Sequence, residues 1–180
     1  MSTLQEFKKK GVASLQKKLW LKNVHQVPQI DKVIVAMWIG SLATRKSMKD
    51  FSELEENMAK ITGQIPRMIM SKKAVSNFKL RIDMPVMLQT TLRKGKAYDF
   101  LWRMTTLVLP RVRDFAWLSE KSFDKNGNLN IGLKAYNIFP ELGLDDSTVP
   151  MWLQITIVTT TNDKSHTKEL LQELWFIFQK

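Results

Sequence analysis

"ITGQIPRMIMSKKAVSNFKLRIDMPVMLQTTLR", Ile61–Arg93, holds two strand-like segments joined by a basic connection. The first, "RMIMS", is short and mostly apolar. The second, "VMLQTTLR", sets Val86, Leu88, Thr90 and Leu92 against Met87, Gln89, Thr91 and Arg93, the period of two of a half-buried strand. Two strands this close in sequence suit antiparallel pairing, because parallel strands need a long crossover. Between them run Lys72, Lys73 and "VSNFKLRI", leading to Pro85. Ile61 to Arg81 carries five cations and no carboxylate, yet Ile61, Ile65, Met68, Ile69, Met70, Val75, Phe78 and Leu80 are apolar. A disordered basic tail lacks such residues, since a chain without apolar burial does not offset the entropy lost on ordering. The charge is therefore expected on a folded platform.

Outward from this pair, "VPQIDKVIVAMWIG" is β-branched and almost continuously apolar from Val33 to Ile39, which predicts a strand buried on both faces or nearly so. Phe51, Leu54, Met58 and Ile61 recur at helical spacing with Glu53, Glu55, Glu56 and Lys60 between them, and Gly63 follows as a stop. A first helix is carried by Leu4, Phe7, Val12, Leu15 and Leu19. A third is predicted over about Lys96 to Leu109, with Tyr98, Leu101, Trp102, Thr105 and Leu109 on one stripe and an end near Pro110. "SFDKNGNLNIGL" reads as a turn into a short strand. "MWLQITIVTTT" is a long strand with Met151, Leu153, Ile155 and Ile157 on one face, and "SHTKELLQELWFIF" a last amphipathic helix capped by Ser165 or Thr167. Interspersed helices and strands without strict alternation predict an α+β fold, an antiparallel sheet with helices packed on one face. With no repeat or Gly/Ser linker, residues 1–180 read as a single domain.

The 28 Lys and Arg exceed the 17 Asp and Glu, a formal charge of +11 that points to a polyanionic partner. The excess is local. Arg67 to Lys96 holds eight cations against Asp83 alone, while Ile138 to Asp163 holds four carboxylates and no cation. Without cysteine, a disulfide scaffold and a Cys-ligated zinc site are excluded. No apolar run reaches the roughly 18 to 20 residues of a membrane span, so no membrane insertion is expected. The N-terminal stretch lacks a signal-peptide core, and Glu6 and scarce Arg argue against a mitochondrial presequence.

Catalytic and metal-binding patterns fit poorly. Asp124, Asn126 and Asn128 resemble the opening of a calcium loop, but Gly127 comes too early and Ala135 stands where a bidentate Glu is needed, leaving a polar turn. His25 and His166 have no carboxylate or Cys at catalytic or ligand spacing. "RKGKAY" lacks the glycines and hydroxyl of a phosphate loop, and no nucleophile elbow is present. Neither an enzyme, a metal nor a cofactor is expected.

What remains is a basic surface with polar and aromatic members: Gln64, Arg67, Lys72, Lys73, Asn77, Phe78, Lys79, Arg81, Gln89, Thr91, Arg93, Lys94 and Lys96. Cations neutralise phosphates, amides and hydroxyls bond 2′-hydroxyls or base edges, and an exposed Phe stacks on a base. Taken singly, Phe78 is more often a core residue and a lysine merely solvated. Their clustering points to nucleic acid.

"HQVPQIDKVIVAMWIG", "ITGQIPRMIMSKKAVSNFKLR", "TLRKGKAYDFL", "LPRVRDFAWLSEKSFDKNGN", "IFPEL" and "ITIVTTT" stand in the order found in the universal ribosomal protein five family of the large subunit, which the chain resembles over nearly its whole length. The resemblance implies an RRM-like sheet in the central protuberance, binding 5S rRNA and large-subunit rRNA, touching the P-site tRNA, and bridging to small-subunit head protein thirteen beside other protuberance proteins. It carries over Gln64, Phe78 and Thr91 to the 5S rRNA face, with Arg67, Arg93 and Lys94 beside them. Ala36 stands where the family's Asn is expected, which removes one donor–acceptor pair. The tRNA-facing loop corresponds to Lys72, Lys73, Asn77, Lys79 and Arg81, with Asn77 replacing a glycine and stiffening the tip. The bridge corresponds to Arg111, Arg113, Asp114, Phe115, Trp117 and Lys121. Family glycines are also replaced at Trp38, Asp83 and Met87, and with the Trp and Met content this implies a divergent, organelle-encoded member in the mitochondrial matrix, the bacterial cytoplasm being the alternative. A second reading is an adaptor in a divergent ribosome that lacks 5S rRNA, held by protein contacts and large-subunit rRNA.

Overall fold

The structure, a computed structural model, describes residues 7–45, 50–112, 118–134, 136, 138–142 and 152–178. The apolar run predicted as a strand forms β1, Ile30–Trp38, the middle of a five-stranded antiparallel sheet. Its companions are β2 (Arg67–Met70), β3 (Pro85–Arg93), β4 (Leu129–Leu133) and β5 (Leu153–Thr159), in the order β2-β3-β1-β5-β4. A strand with neighbours on both sides is the place for such a run. Val33, Val35, Ala36 and Met37 are buried, and Trp38 at its end is half exposed. Among the described residues the α-helices are α1 (Val12–Lys18), α2 (Gly40–Arg45), α3 (Ser52–Thr62), α4 (Lys94–Arg103) and α5 (Lys164–Glu173). The α+β class is the one expected, with helices packed around the sheet.

Each of β3 and β5 has one covered face. Leu88, Thr90 and Leu92 are buried in β3, as are Leu153, Ile155, Ile157 and Thr159 in β5, while the residues between them are half-buried or exposed. That alternation is what an antiparallel sheet with a single covered face produces.

The chain gathers into two compact units, one of Met1–Val33, Leu92–Ile131 and Thr156–Lys180, the other of Ile34–Thr91 and Gly132–Ile155. β1, β3, β4 and β5 each start in one unit and finish in the other. In the first unit, the Tyr98 hydroxyl accepts from the Ile30 N–H at 3.2 Å, and its ring lies 5.3 Å from that of Phe7. In the second, α3 buries Leu54, Met58 and Ile61 and ends at Gly63, whose φ of 67° is the left-handed conformation of a helix stop.

Three expectations need correction. α4 begins at Lys94, and its path continues through a π turn (Met104–Val108) and a 3-10 turn (Leu109–Arg111) that contains Pro110. Proline is tolerated there because the first turn of a helix leaves its N–H groups unpaired anyway. The buried residues along this path are Ala97, Tyr98, Phe100, Leu101, Met104, Val108 and Leu109, so Tyr98, Leu101 and Leu109 are buried as expected, whereas Trp102 is exposed and the Thr105 hydroxyl bonds back to the Leu101 carbonyl at 3.1 Å. The helical period admits Trp102 and Thr105 at the margin of the buried face, and packing leaves them outside it. The cap of α5 is Asp163, which accepts from the N–H of Ser165 at 3.0 Å; Ser165 and Thr167 lie inside the helix. α5 also stops at Glu173, where the chain turns at Leu174 and Trp175 (φ 65°), and the Phe178 ring stacks 5.7 Å from that of Phe123. Leu4 and Met151 lie outside the described residues. None of the described helices is long and apolar enough to cross a membrane.

Candidate nucleic-acid interface

β2 and β3 pair antiparallel with Arg67 opposite Gln89, Met68 opposite Leu88 and Ile69 opposite Met87, and the register shifts between Ile69 and Met70. Directly opposed residues share a face, so Arg67 and Gln89 stand on the side away from buried Leu88. Period two places Thr91 on that side as well. Gln64 is exposed just ahead of β2. On β1 the residues out of phase with Val33, Val35 and Met37 include Ala36 and Trp38, and Trp38 Nε1–H donates to Gln154 Oε1 of β5 at 3.4 Å.

The connection from Ser71 to Met84 is a built extension of this hairpin. Ser71 N–H donates to the Met84 carbonyl at 2.8 Å and Asp83 N–H to the Ser71 carbonyl at 3.0 Å, closing the neck. Further out, Val75 and Leu80 exchange backbone bonds at 3.0 and 3.1 Å, and Ser76–Phe78 forms a 3-10 turn at the tip. Lys72, Lys73, Asn77, Phe78, Lys79 and Arg81 are all exposed. Phe78, singly expected in a core, is 71% exposed at the tip. Among the described residues, Lys72, Lys73, Lys79 and Arg81 have no carboxylate partner. The tip residue in the left-handed region is Lys79 (φ 54°), not Asn77.

The remaining predicted residues have other surroundings. Arg93 is exposed, and its Nη1 lies 3.8 Å from Asp31 Oδ1, whose second oxygen is 3.6 Å from Lys32 Nζ; Arg93 is thus partly engaged within the protein. Lys94 is exposed at the start of α4. Arg111 and Lys121 are exposed in 3-10 turns, and Arg113, Asp114, Phe115 and Trp117 lie outside the described residues.

Sequence reasoning missed Trp38 and Gln154 as members of this face. For Gln154 the signal was present in the alternation of β5, where it falls out of phase with the buried set; β1 is buried on both faces up to Met37, and no alternation singles out Trp38. His166 has a carboxylate neighbour three residues earlier in the chain, with Nε2 3.9 Å from Asp163 Oδ2. The Asp124 carboxylate accepts from Asn126 N–H at 2.9 Å and from Asn128 N–H and Nδ2 at 2.8 Å each, which makes "FDKNGN" the polar turn expected. Burial raises that carboxyl's pKa, but the bonds from Asn128 and Asn126 and the charge of Lys164 outweigh it and hold it below the ordinary range. Among the described residues no group of three or more His, Asp or Glu is gathered to hold a metal ion.

A family model described as "Ribosomal protein L5" matches residues 23–81, and a second model, for the C-terminus of the same ribosomal family, matches residues 85–178. The chain belongs to the ribosomal protein L5 family. It is 39% identical to "Large ribosomal subunit protein uL5" of Clostridium botulinum (strain Hall) over 181 residues, covering 100% of this chain and 99% of the relative. It is 43% identical to "Large ribosomal subunit protein uL5c" of the alga Gracilaria tenuistipitata var. liui over 164 residues, 91% of this chain and 90% of the relative. As an L5-family member it is a structural constituent of the large ribosomal subunit, and the family is not enzymatic. The polyanion inferred from charge is accordingly the RNA of a ribosome.

Proposed function

We propose that this chain anchors 5S rRNA in the central protuberance through the open face that carries Gln64, Arg67, Gln89 and Thr91, with Phe78 as a stacking residue. In this reading the Ser71–Met84 extension reaches the P-site tRNA with Lys72, Lys73, Lys79 and Arg81, and the segment from Arg111 to Lys121 bridges to head protein thirteen. Residues 1–180 act as one RNA-binding domain. The observation that carries the reading is the extension itself, a backbone-braced loop presenting cations with no carboxylate partner among the described residues around an exposed aromatic tip.

Equilibrium binding of the purified chain to a 5S rRNA transcript across a salt series tests it. Lys72→Ala with Lys73→Ala is expected to weaken binding and flatten the log–log salt slope by roughly one to two, as loss of up to two phosphate contacts requires. An unchanged slope would count against phosphate contacts from this loop.

One observation favours the adaptor reading. Ala36 offers no side-chain hydrogen bond, and the half-exposed Trp38 two residues on enlarges the apolar part of the same face. Native ribosomal particles without 5S rRNA would establish the adaptor, and particles that retain it would exclude that reading. We place the ribosome in the mitochondrial matrix, as the Trp and Met content suits an organellar gene; finding the gene on a bacterial chromosome would reverse this.

A further inference from the structure

α1 and α5 stop in the same way. After α1, Leu21 N–H donates to the Gln16 carbonyl at 3.1 Å and Trp20 N–H to that of Lys17 at 3.3 Å; after α5, Phe176 N–H donates to the Leu171 carbonyl at 3.0 Å and Trp175 N–H to that of Gln172 at 3.1 Å. This paired bonding belongs to a helix stop whose turning residue is left-handed and is most often glycine. Here the turning residues are tryptophans, with φ of 53° and 65°, and they are 91% and 57% exposed. A Cβ is disfavoured in that conformation, and an indole left in water adds nothing to the core. Strain that the fold does not use points to work done outside the chain.

Trp20 lines a groove of about 1080 Å³ between the end of α1 and α5, all of it within the unit that holds both helices. Lys17 and Lys22 are exposed on either side of Trp20 in the chain, and among the described residues they have no carboxylate partner. The whole stretch from Phe7 to Ile30 has six lysines and no carboxylate. The α5 side carries both signs. Glu169 lines the groove, Glu173 is bound to Lys18, and Asp163 lies 3.9 Å from His166.

We propose that the α1–α5 groove docks an acidic segment of a neighbouring ribosomal protein, an apolar side chain of that segment lying on the Trp20 indole and its carboxylates beside Lys17 and Lys22. An aromatic anchor surrounded by polar groups of both signs is the anatomy of a protein interface. The excess of lysine along α1 selects an acidic partner over a basic one. RNA fits less well, because every nucleotide brings a phosphate and a strand in the groove would pass Glu169, Glu173 and Asp163, whereas a polypeptide places its charges singly. The Ser71–Met84 extension, whose cations have no carboxylate partner among the described residues, differs on this point.

Native ribosomal particles treated with a carbodiimide, which joins a lysine amine to a carboxylate in contact with it, are expected to show Lys17 or Lys22 linked to an Asp or Glu of another protein. Hydroxyl-radical footprinting is expected to find Trp20 several-fold less reactive in the particle than in the purified chain. The linked segment, made as a synthetic peptide, is expected to bind the purified chain, and Trp20→Gly to weaken that binding about tenfold or more, the loss typical of a tryptophan anchor. The same variant should melt no lower than the wild type, since glycine suits the turn. Trp20 equally reactive in both states, no link from Lys17 or Lys22 to another protein, or a nucleotide cross-linked to Trp20 under ultraviolet light would each overturn the docking site and leave the RNA interface standing. So would a Trp20→Gly chain that binds the peptide as the wild type does, or one that melts lower and thereby shows Trp20 serving the fold.

Discussion

Arg67 stands directly across from Gln89 in the β2–β3 pair, while their chain neighbours Met68 and Leu88 face each other on the opposite side. Adjacent residues on one strand therefore have different work. Arg67→Ala is expected to weaken RNA binding, reduce the salt slope by about one and leave stability within about 0.5 kcal/mol. Leu88→Ala is expected to cost about 2–5 kcal/mol of stability through the cavity it leaves, and to leave the salt slope of the remaining folded protein unchanged. Urea titration beside a salt series separates the two. Equal loss of stability in both variants would contradict this register.

Asp83 holds a φ of 60°, a conformation that suits glycine, at the neck where its N–H donates to Ser71. Asp83→Gly is expected to raise stability by about 0.5 kcal/mol, relief of strain outweighing the added freedom of the unfolded chain. It also removes the one carboxylate of the basic stretch, so RNA affinity should rise. Asp83→Asn keeps the strain and removes the charge; a shift in its urea midpoint matching that of the glycine variant would refute the backbone explanation.

Gly127 has the opposite requirement. Its φ is 75°, and a Cβ placed there would lie 3.2 Å from the carbonyl carbon of Asn162 and 3.3 Å from its oxygen. Gly127→Ala is expected to destabilise by about 1–3 kcal/mol, because both the conformation and the contact oppose a side chain. A melting temperature equal to the wild type's would contradict this close approach.

Lys18 Nζ lies 2.6 Å from Glu173 Oε1, which also accepts from the Ser14 hydroxyl at 2.8 Å, joining α1 to α5. The bond from Lys18 holds the Glu173 carboxyl below its usual range, against a smaller opposing effect of burial and with help from Ser14. The same bond raises Lys18 above its ordinary 10.5. A lowered carboxyl pKa stabilises the fold fully above its unfolded value, about 4.3, and the contribution fades as pH falls through the folded value. The raised ammonium pKa works in reverse, its contribution disappearing as pH climbs through the folded value. Since Lys18 is half exposed, Glu173→Gln is expected to cost no more than about 1 kcal/mol at pH 7. That difference should shrink toward pH 3 in urea unfolding; a constant gap between pH 7 and pH 3 would rule out this linkage.

Much of the architecture is legible along the chain. The period of two in β3 and β5, the helical period of α3 and the stop at Gly63 all stand where the local pattern puts them, because each depends on neighbours a few residues away. The candidate interface is legible in part. The cations of Lys72 to Arg81 do remain exposed, but Arg93 meets Asp31, which lies far off in sequence. The helical period of α4 admits Trp102 to the buried stripe, yet that residue is exposed, and Ser165 and Thr167 are both plausible caps of α5 where Asp163 makes the bond. For Arg93 a partner remote in sequence decides, and for Trp102 it is which side of the helix other segments cover; at α5 the choice is local, between acceptors within four residues of one another.

The α+β class, the antiparallel pair and the basic platform follow from the order of residues alone, since periodicity is local and net charge is a sum over residues. The half-exposed end of β1 at Trp38, beside Gln154, and the place of Phe78 at the tip of a braced loop emerge only from packing. Exposure depends on which faces other segments cover, and no residue carries that information in its own side chain.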